Sequence, residues 1–247
     1  MENLPFRAAP RFFVALPLSP GAEVELPPHV VRHVAARRLR TGDAITLFNG
    51  EGGEFAAQIS RAGREQLHAR ISGWRNVERE SPFRIELALG ISGGERMDYA
   101  LQKATELGAW SIRPLATERS VVRLHNERAD RRLAHWRGVV AAACEQCGRN
   151  RVPEVSPITG LDELLLEKND GGTRIFLSPD ASGGLRQLER AGSALVLVGP
   201  EGGLSPEEKR HAERCGFVPV RFGPRILRAE TAPLAAIAAL QAMWGDC

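Results

Sequence analysis

Two stretches near the C-terminal end restrict the fold more than anything else in the chain. The first runs Leu195-Val196-Leu197-Val198-Gly199-Pro200-Glu201-Gly202-Gly203-Leu204-Ser205-Pro206-Glu207-Glu208. The second runs Phe222-Gly223-Pro224-Arg225-Ile226-Leu227-Arg228-Ala229-Glu230-Thr231-Ala232-Pro233. Each passes from a short apolar strand, through a loop with Gly and Pro, into a helix. Ala194 to Val198 is a continuous aliphatic run of strand length, the pattern of a strand buried on both faces. Gly199, Gly202 and Gly203 let the backbone turn sharply and approach a ligand without Cβ interference. Ser205, Pro206 and Glu208 form a capping box with Pro at the first helical position. The loop therefore lies at the C-terminal end of a strand and ahead of a helix, where open α/β sheets bind ligands. An ordinary tight connection carries the same glycines. The second stretch repeats the plan. Val218 to Phe222 is a strand, Gly223-Pro224 breaks it, and Arg228, Glu230 and Thr231 form a polar cluster. An apolar helix follows, with Pro233 tolerated in its first turn. Two such loops in one half of the chain suggest one site built from both.

The rest of the chain divides into two domains, 1–78 and 79–247. The first reads as a small, mostly β module. Its strands are expected at Arg11 to Leu16, Ala44 to Phe48, Glu54 to Ile59 and Leu67 to Ile71. Asn49-Gly50-Glu51-Gly52-Gly53 is a strong hairpin signal. A helix over Pro27 to Leu39 has Val30, Val31, Val34 and Leu39 on its apolar side. Arg32, Arg37 and Arg38, with Arg40 just beyond, make it basic. Several short strands around one helix suggest a small barrel. Trp74 to Pro82 lacks periodicity and reads as a linker.

The second domain opens with a strand over Phe83 to Gly90 and a helix from about Glu95, with Gly108 as its C-terminal cap. Strands follow at Ile112 to Leu115 and Ser120 to Arg123, then a helix over Glu127 to Cys147 with Leu133, Trp136, Val140, Ala143 and Cys144 facing inward. Thr173 to Leu177 is the next strand, before the two loop-bearing ones. Alternating strands and helices imply an α/β fold with a mostly parallel sheet flanked by helices. The last helix, about Ala232 to Trp244, is apolar nearly all round and must be buried in a core or against a partner.

Function classes narrow from there. No apolar run approaches the roughly 20 residues that span a bilayer, and the N-terminus has no basic flank followed by an apolar core. A soluble cytoplasmic protein is expected. Four cysteines among 247 residues make no disulfide framework. Cys144 and Cys147 lack the second ligand pair that zinc needs. His29 and His33 lie at i, i+4 without a third ligand, so a solvated or phosphate-facing pair is expected rather than a metal site. The net charge is only +3, but Arg119 to Arg151 holds eight Arg and three acids. Arg suits phosphate and base-plane contacts, and a solvated surface would look the same.

GPEGGLSPEE followed closely by GPRILRAETA resembles the RsmE family of ribosomal RNA methyltransferases, within the SPOUT superfamily. Gln102 to Gly108, Glu118 to Ser120, Glu145 to Arg149, Arg11 to Val14 and Arg38 to Asp43 resemble further motifs of that family. The resemblance implies a PUA-like RNA-binding barrel followed by a catalytic domain whose C-terminal chain forms a trefoil knot. It implies S-adenosylmethionine as the methyl donor and a homodimer formed through the SPOUT domain. The implied substrate is a uridine N3 in the decoding region of 16S ribosomal RNA, in the assembled small subunit. Neither a metal nor a membrane is implied.

The donor-binding walls carried over are Leu177, Ser178, Gly199, Pro200, Glu201, Gly202 and Gly203 on one side. Phe222, Gly223, Ile226, Leu227 and Arg228 make the other. Arg228 and Glu230 are the catalytic candidates. Arg could hold a developing enolate-like oxygen and Glu could accept the N3 proton, although the two could instead pair with each other. Arg11, Arg32, Arg37, Arg38, Arg40, Arg119 and Arg149 are candidates for RNA contact. Glu106 reads equally well as a structural helix residue. Two other functions fit parts of the sequence. One is an RNA-binding assembly factor that holds no methyl donor. The other is a nucleotide-phosphate site at a helix N-terminus, against which Glu201 and the absence of a phosphate-loop motif both count.

Overall fold

A computed structural model describes residues 9–63, 66–120, 127–169 and 171–247. The chain splits into two compact units: Met1–Glu80 with Cys144–Val152, and Ser81–Ala143 with Pro153–Cys247. The return of Cys144–Val152 to the first unit is absent from the division at residue 78, because nothing in local periodicity reports a long-range return.

The first unit holds β1 (Arg11–Phe13), β2 (Glu23–Glu25), α1 (Pro28–Ala36), β3 (Ala44–Phe48), β4 (Glu54–Ala62) and β5 (Leu67–Arg75). The sheet order is β1-β3-β4-β5-β2, with β1 parallel to β3 and the remaining pairs antiparallel. Alternate residues of the strands join Val30 and Val34 of α1 in one core that includes Phe12, Ile45, Leu47, Ile59 and Ile71. Strand β1 stops at Phe13, short of the expected Leu16. Strand β5 reaches Arg75, into the stretch read as a linker. Helix α1 ends before Leu39 because Arg38 turns left-handed at φ 56°. The Arg38 N–H then donates to Ala35 O and the Leu39 N–H to Val34 O, closing the helix end.

Arg11, expected to meet RNA, is instead part of this unit's interior. It pairs with Glu54, which is 5% exposed, and donates to Arg149 O at 3.1 Å and Asn150 Oδ1 at 2.6 Å. Arg149, 4% exposed, donates from Nε to Glu80 Oε1 at 3.0 Å. The buried Glu54 and the half-buried Glu80 thus account for both Arg residues, since a charge withdrawn from water requires a partner. His29 also turns inward, its Nε2 lying 3.1 Å from Phe13 O. The Cys144 thiol is buried 3.7 Å from Arg151 O, and burial pushes its pKa up to about 12, which leaves it protonated and unreactive.

The second unit holds β6 (Arg84–Gly90), α2 (Gly94–Glu106), β7 (Ala109–Ala116), most of α3 (Glu127–Cys147), β8 (Glu154–Val155), β9 (Thr159–Gly160) and α4 (Leu161–Leu166). It continues with β10 (Thr173–Leu177), β11 (Ser193–Val198), α5 (Pro206–Arg214), β12 (Val218–Val220) and α6 (Thr231–Trp244). The sheet runs β12-β10-β11-β6-β7-β8, every pair parallel, with β9 also against β7. Helices α4 and α5 pack over Ala88, Phe176 and Leu197. Helices α2 and α6 pack together, α6 also against β6 and β11, where alternation aims Val196 and Val198. In α3, Trp136, Val140, Ala143 and Cys144 are buried as expected from their spacing, and Leu133 is half-buried. Ser120 ends a turn begun at Thr117; the strand expected to continue to Arg123 falls outside the described residues.

Arg11→Met leaves Glu54 short of its closest buried cation. It should lower the stability of the first unit by about 3 kcal/mol, as for one broken buried pair. Chemical denaturation with native-like circular dichroism before the transition checks this. An unchanged midpoint would mean that Arg75 and Arg79 neutralise Glu54 unaided.

Candidate functional site

Strands β12, β10 and β11 are neighbours in a parallel sheet, so their C-terminal ends emerge side by side. The connections leaving those ends enclose a cavity of about 270 Å³. From β10 come Leu177 and Ser178, and from β11 the turn Gly199–Leu204. From β12 comes Phe222, joined by Ile226, Leu227 and Ala229 of the segment leading into α6. Ser178 is buried, and its N–H donates to Val220 O at 2.9 Å, tying two of the strand ends together.

The glycine turn has little freedom. The Gly203 N–H donates to Pro200 O at 2.8 Å, and Gly203 holds φ 67°. A Cβ on Gly199 would lie 2.7 Å from Gly203 C and Leu204 N, closer than any side chain can sit. The turn ends in the expected capping box. The Glu208 N–H donates to Ser205 Oγ at 3.2 Å, and the Ser205 N–H donates to Glu208 Oε2 at 2.7 Å.

Four hydrogen bonds join this turn and the start of α5 to the segments that follow β6 and β7. Glu201 Oε1 accepts from the Gly93 N–H at 2.9 Å and from Arg96 Nη1 at 3.1 Å. Arg119 Nη1 donates to Gly202 O at 2.9 Å. Glu208 Oε1 accepts from the Glu118 N–H at 2.8 Å. Partial burial works to raise the Glu201 carboxyl, but the backbone N–H groups of Gly93 and Glu201, with Arg96 and Ser92, outweigh it and hold the group below its ordinary 4.5. Glu201 is therefore charged at neutral pH. At the rim, Lys209 Nζ lies 2.9 Å from Asp180 Oδ2, and its hydrogen bond and charge lower the Asp180 carboxyl.

The expected donor-binding residues Leu177, Ser178, Gly199, Pro200, Glu201, Gly202, Gly203, Phe222, Ile226 and Leu227 all line the cavity, as does Arg119; Gly223 and Arg228 do not. Arg228 is exposed, and its carbonyl accepts from the Thr231 and Ala232 N–H groups, both at 2.9 Å, to begin α6. Glu230 is half-buried at the N-cap of α6, and its side chain makes no cap hydrogen bond. Ala229, between the two, lines the cavity. In the first unit Arg32, Arg37, Arg38 and Arg40 are all exposed. Glu106 is paired within its helix to Lys103 at 2.7 Å.

Sequence reasoning missed Gly90, Asp180, Lys209 and Arg225. Of these only Gly90 carried a signal, a glycine closing the apolar end Leu87-Ala88-Leu89 of a strand. A Cβ there would lie 2.6 Å from Pro200 N. Apolar walls from Leu177, Val198 and Phe222, with exposed backbone groups at the glycine turn, suit a flat heterocycle with a polar tail. Gly90→Ala should destabilise the second unit by about 1–3 kcal/mol through overpacking against backbone. Thermal unfolding tests this, and an unaltered Tm would show that the turn can retreat without cost.

The family model for an RNA methyltransferase domain matches residues 79–241, and that for an RNA methyltransferase PUA domain matches residues 26–72. A relative from Bacillus subtilis, ribosomal RNA small subunit methyltransferase E, is 30% identical over 220 residues, covering 85% of this chain and 86% of its own. The crystal structure of a ribosomal RNA small subunit methyltransferase E from Neisseria gonorrhoeae, bound to S-adenosylmethionine, is 43% identical. It aligns with a TM-score of 0.93 over 97% of this chain and 99% of that one. A Legionella pneumophila protein solved in complex with the same cofactor is 39% identical, with a TM-score of 0.94 over 97% of this chain and 100% of that one. The fold is thus the α/β architecture of these enzymes with a PUA-like unit at its N-terminal end, and the chain belongs to the RNA methyltransferase family that includes the ribosomal RNA small subunit methyltransferase E proteins.

Proposed function

We propose that the protein methylates N3 of a uridine in the decoding region of 16S ribosomal RNA, on the small ribosomal subunit, with S-adenosylmethionine as donor. The observation that carries this reading is the cavity at the ends of β10, β11 and β12. Its apolar walls and tight glycine turn fit an adenosyl group approached closely by backbone. The bound donor supplies an electrophilic methyl group, whose bond to sulfur breaks as its bond to uracil N3 forms, while the N3 proton leaves to a base.

The protein's own part is alignment and charge. Leu177, Phe222 and Leu227 hold the apolar surface, and backbone groups at Gly199–Gly203 meet the polar edges. Arg228 and Glu230 flank the cavity-lining Ala229. Among the described residues they make no ion pair with each other, so both charges are available for substrate. In this reading Arg228 stabilises negative charge on a uracil oxygen and Glu230 takes the N3 proton.

Arg32, Arg37, Arg38 and Arg40 supply phosphate contacts in the first unit. Arg38 holds a left-handed conformation that a non-glycine residue adopts only at a cost. That conformation closes the end of α1, and all four guanidinium groups stand exposed where phosphates can reach them. The reading also includes a knotted C-terminal chain, residence in the cytoplasm and a homodimer. An open apolar hollow beside Ala239, Ala242 and Met243 of α6 supports the dimer. Sedimentation velocity would show a monomer were the dimer absent. Pulling an unknotted chain by its ends would give its full contour length.

The test is nucleoside mass spectrometry on 16S RNA from small subunits that lack the modification, after incubation with protein and donor. New 3-methyluridine is expected. Glu230→Gln should lower kcat by about 10²–10⁴-fold, the range for losing a general base. Donor binding without 3-methyluridine would mean another target. Neither binding nor methylation would favour an RNA-binding assembly factor.

A further inference from the structure

Arg119 stands at the glycine turn, with its guanidinium on the Gly202 carbonyl rather than free for a phosphate. Its stem also lies against that residue, since a Cβ on Gly202 would meet Arg119 Cβ at 3.2 Å and Cδ at 3.4 Å. Arg96, on the first turn of α2 and outside the cavity lining, reaches the same turn from the other side through Glu201. The Glu201 side chain is 23% exposed. Its Oε1 is shared between Arg96 and the Gly93 N–H, so this carboxylate oxygen is engaged by the protein itself.

The two arginines act on consecutive residues of one tight turn. Arg96 orients Glu201 by its side chain, and Arg119 orients Gly202 by its carbonyl. Because the turn also closes on itself through Gly203 N–H to Pro200 O, fixing two of its residues fixes which backbone groups face the cavity. The Thr117–Ser120 turn that carries Arg119 is itself held. Thr117 N–H donates to Ser120 Oγ at 3.0 Å, and the Ser120 N–H donates to Thr117 O at 3.1 Å.

We propose that Arg96 and Arg119 are positioning residues for the donor-binding turn, acting through the Glu201 carboxylate and the Gly202 carbonyl. They hold the turn in its binding shape in the ligand-free protein. This rests on the cavity being the S-adenosylmethionine site, and it takes Arg119 away from direct RNA contact. Preorganisation of this kind reduces the ordering cost of binding, so its loss should weaken donor affinity first.

The experiment pairs two measurements on the full chain. Hydrogen exchange of the peptide covering residues 199–205, without ligand, should be slow in the unaltered protein and faster in Arg96→Ala and Arg119→Ala. Calorimetric Kd for S-adenosylmethionine should rise about threefold for the half-exposed Arg96 and about fivefold for Arg119. The KM for donor should rise alongside, more than kcat falls, and the KM for small subunits should stay constant. Arg96→Lys and Arg119→Lys should recover most of the loss.

Unaltered exchange in both alanine variants overturns the proposal. So does a KM for small subunits that moves while donor Kd does not, which would return Arg119 to RNA. If the unaltered protein binds no S-adenosylmethionine, the proposed function fails on its own, and the exchange measurement still decides whether the turn is held.

Discussion

The contact between Gly90 and Pro200 sets the geometry of the second unit. Strands β6 and β11 run parallel with Leu89 opposite Val198, and beyond that pair the Gly199–Pro200 peptide passes directly against Gly90. Only a residue without Cβ allows Pro200 to cross there. Once it crosses, the turn lies at the C-terminal end of the central strands. Glu201 is then delivered to the N-terminal end of α2, and Gly202 to Arg119. A glycine at the end of one strand thereby determines what a loop more than a hundred residues later can touch.

Arginine has two separate uses in this chain, and composition cannot tell them apart. Arg11 and Arg149 neutralise carboxylates inside the first unit, Glu54 and Glu80, where a planar donor fork satisfies several acceptors at once. Arg32, Arg37, Arg38 and Arg40 stand exposed to solvent. An excess of Arg near Arg149 therefore signals internal pairing as much as an external polyanion. The exposed set on and just after α1 is the part that bears on nucleic acid.

Much of the fold was legible because it follows local periodicity. Ala44–Phe48, Thr173–Leu177 and the helix Glu127–Cys147 have the bounds their patterns imply, and Ser205 with Glu208 marks the start of α5. Short elements were not legible. Glu23–Glu25, Glu154–Val155 and Thr159–Gly160 contain too few residues to show alternation, and Leu161–Leu166 is too brief to show a helical face. The ends of α1 and β1 were overrun, since chain direction changes there without Gly or Pro to announce it. At the site, the glycine loops marked the cavity, but the partners of Glu201 and Gly202 depend on strand order, which no local pattern encodes. Arg11 and Arg149 were misplaced for the same reason. Their carboxylates lie 43 and 69 residues away in sequence.

The return of Cys144–Val152 to the first unit has a consequence for synthesis. Those residues supply the partner of Glu80 and two of the acceptors of Arg11. As the chain leaves the ribosome, β1 to β5 emerge long before those groups exist. The sheet can collapse on its apolar core, but its charged edge stays unsatisfied until translation passes Val152. By then much of the second unit, through β7 and α3, has already been made. The N-terminal unit is thus the first to begin folding without being the first that can finish, and a fragment ending at residue 80 should be an incomplete version of it.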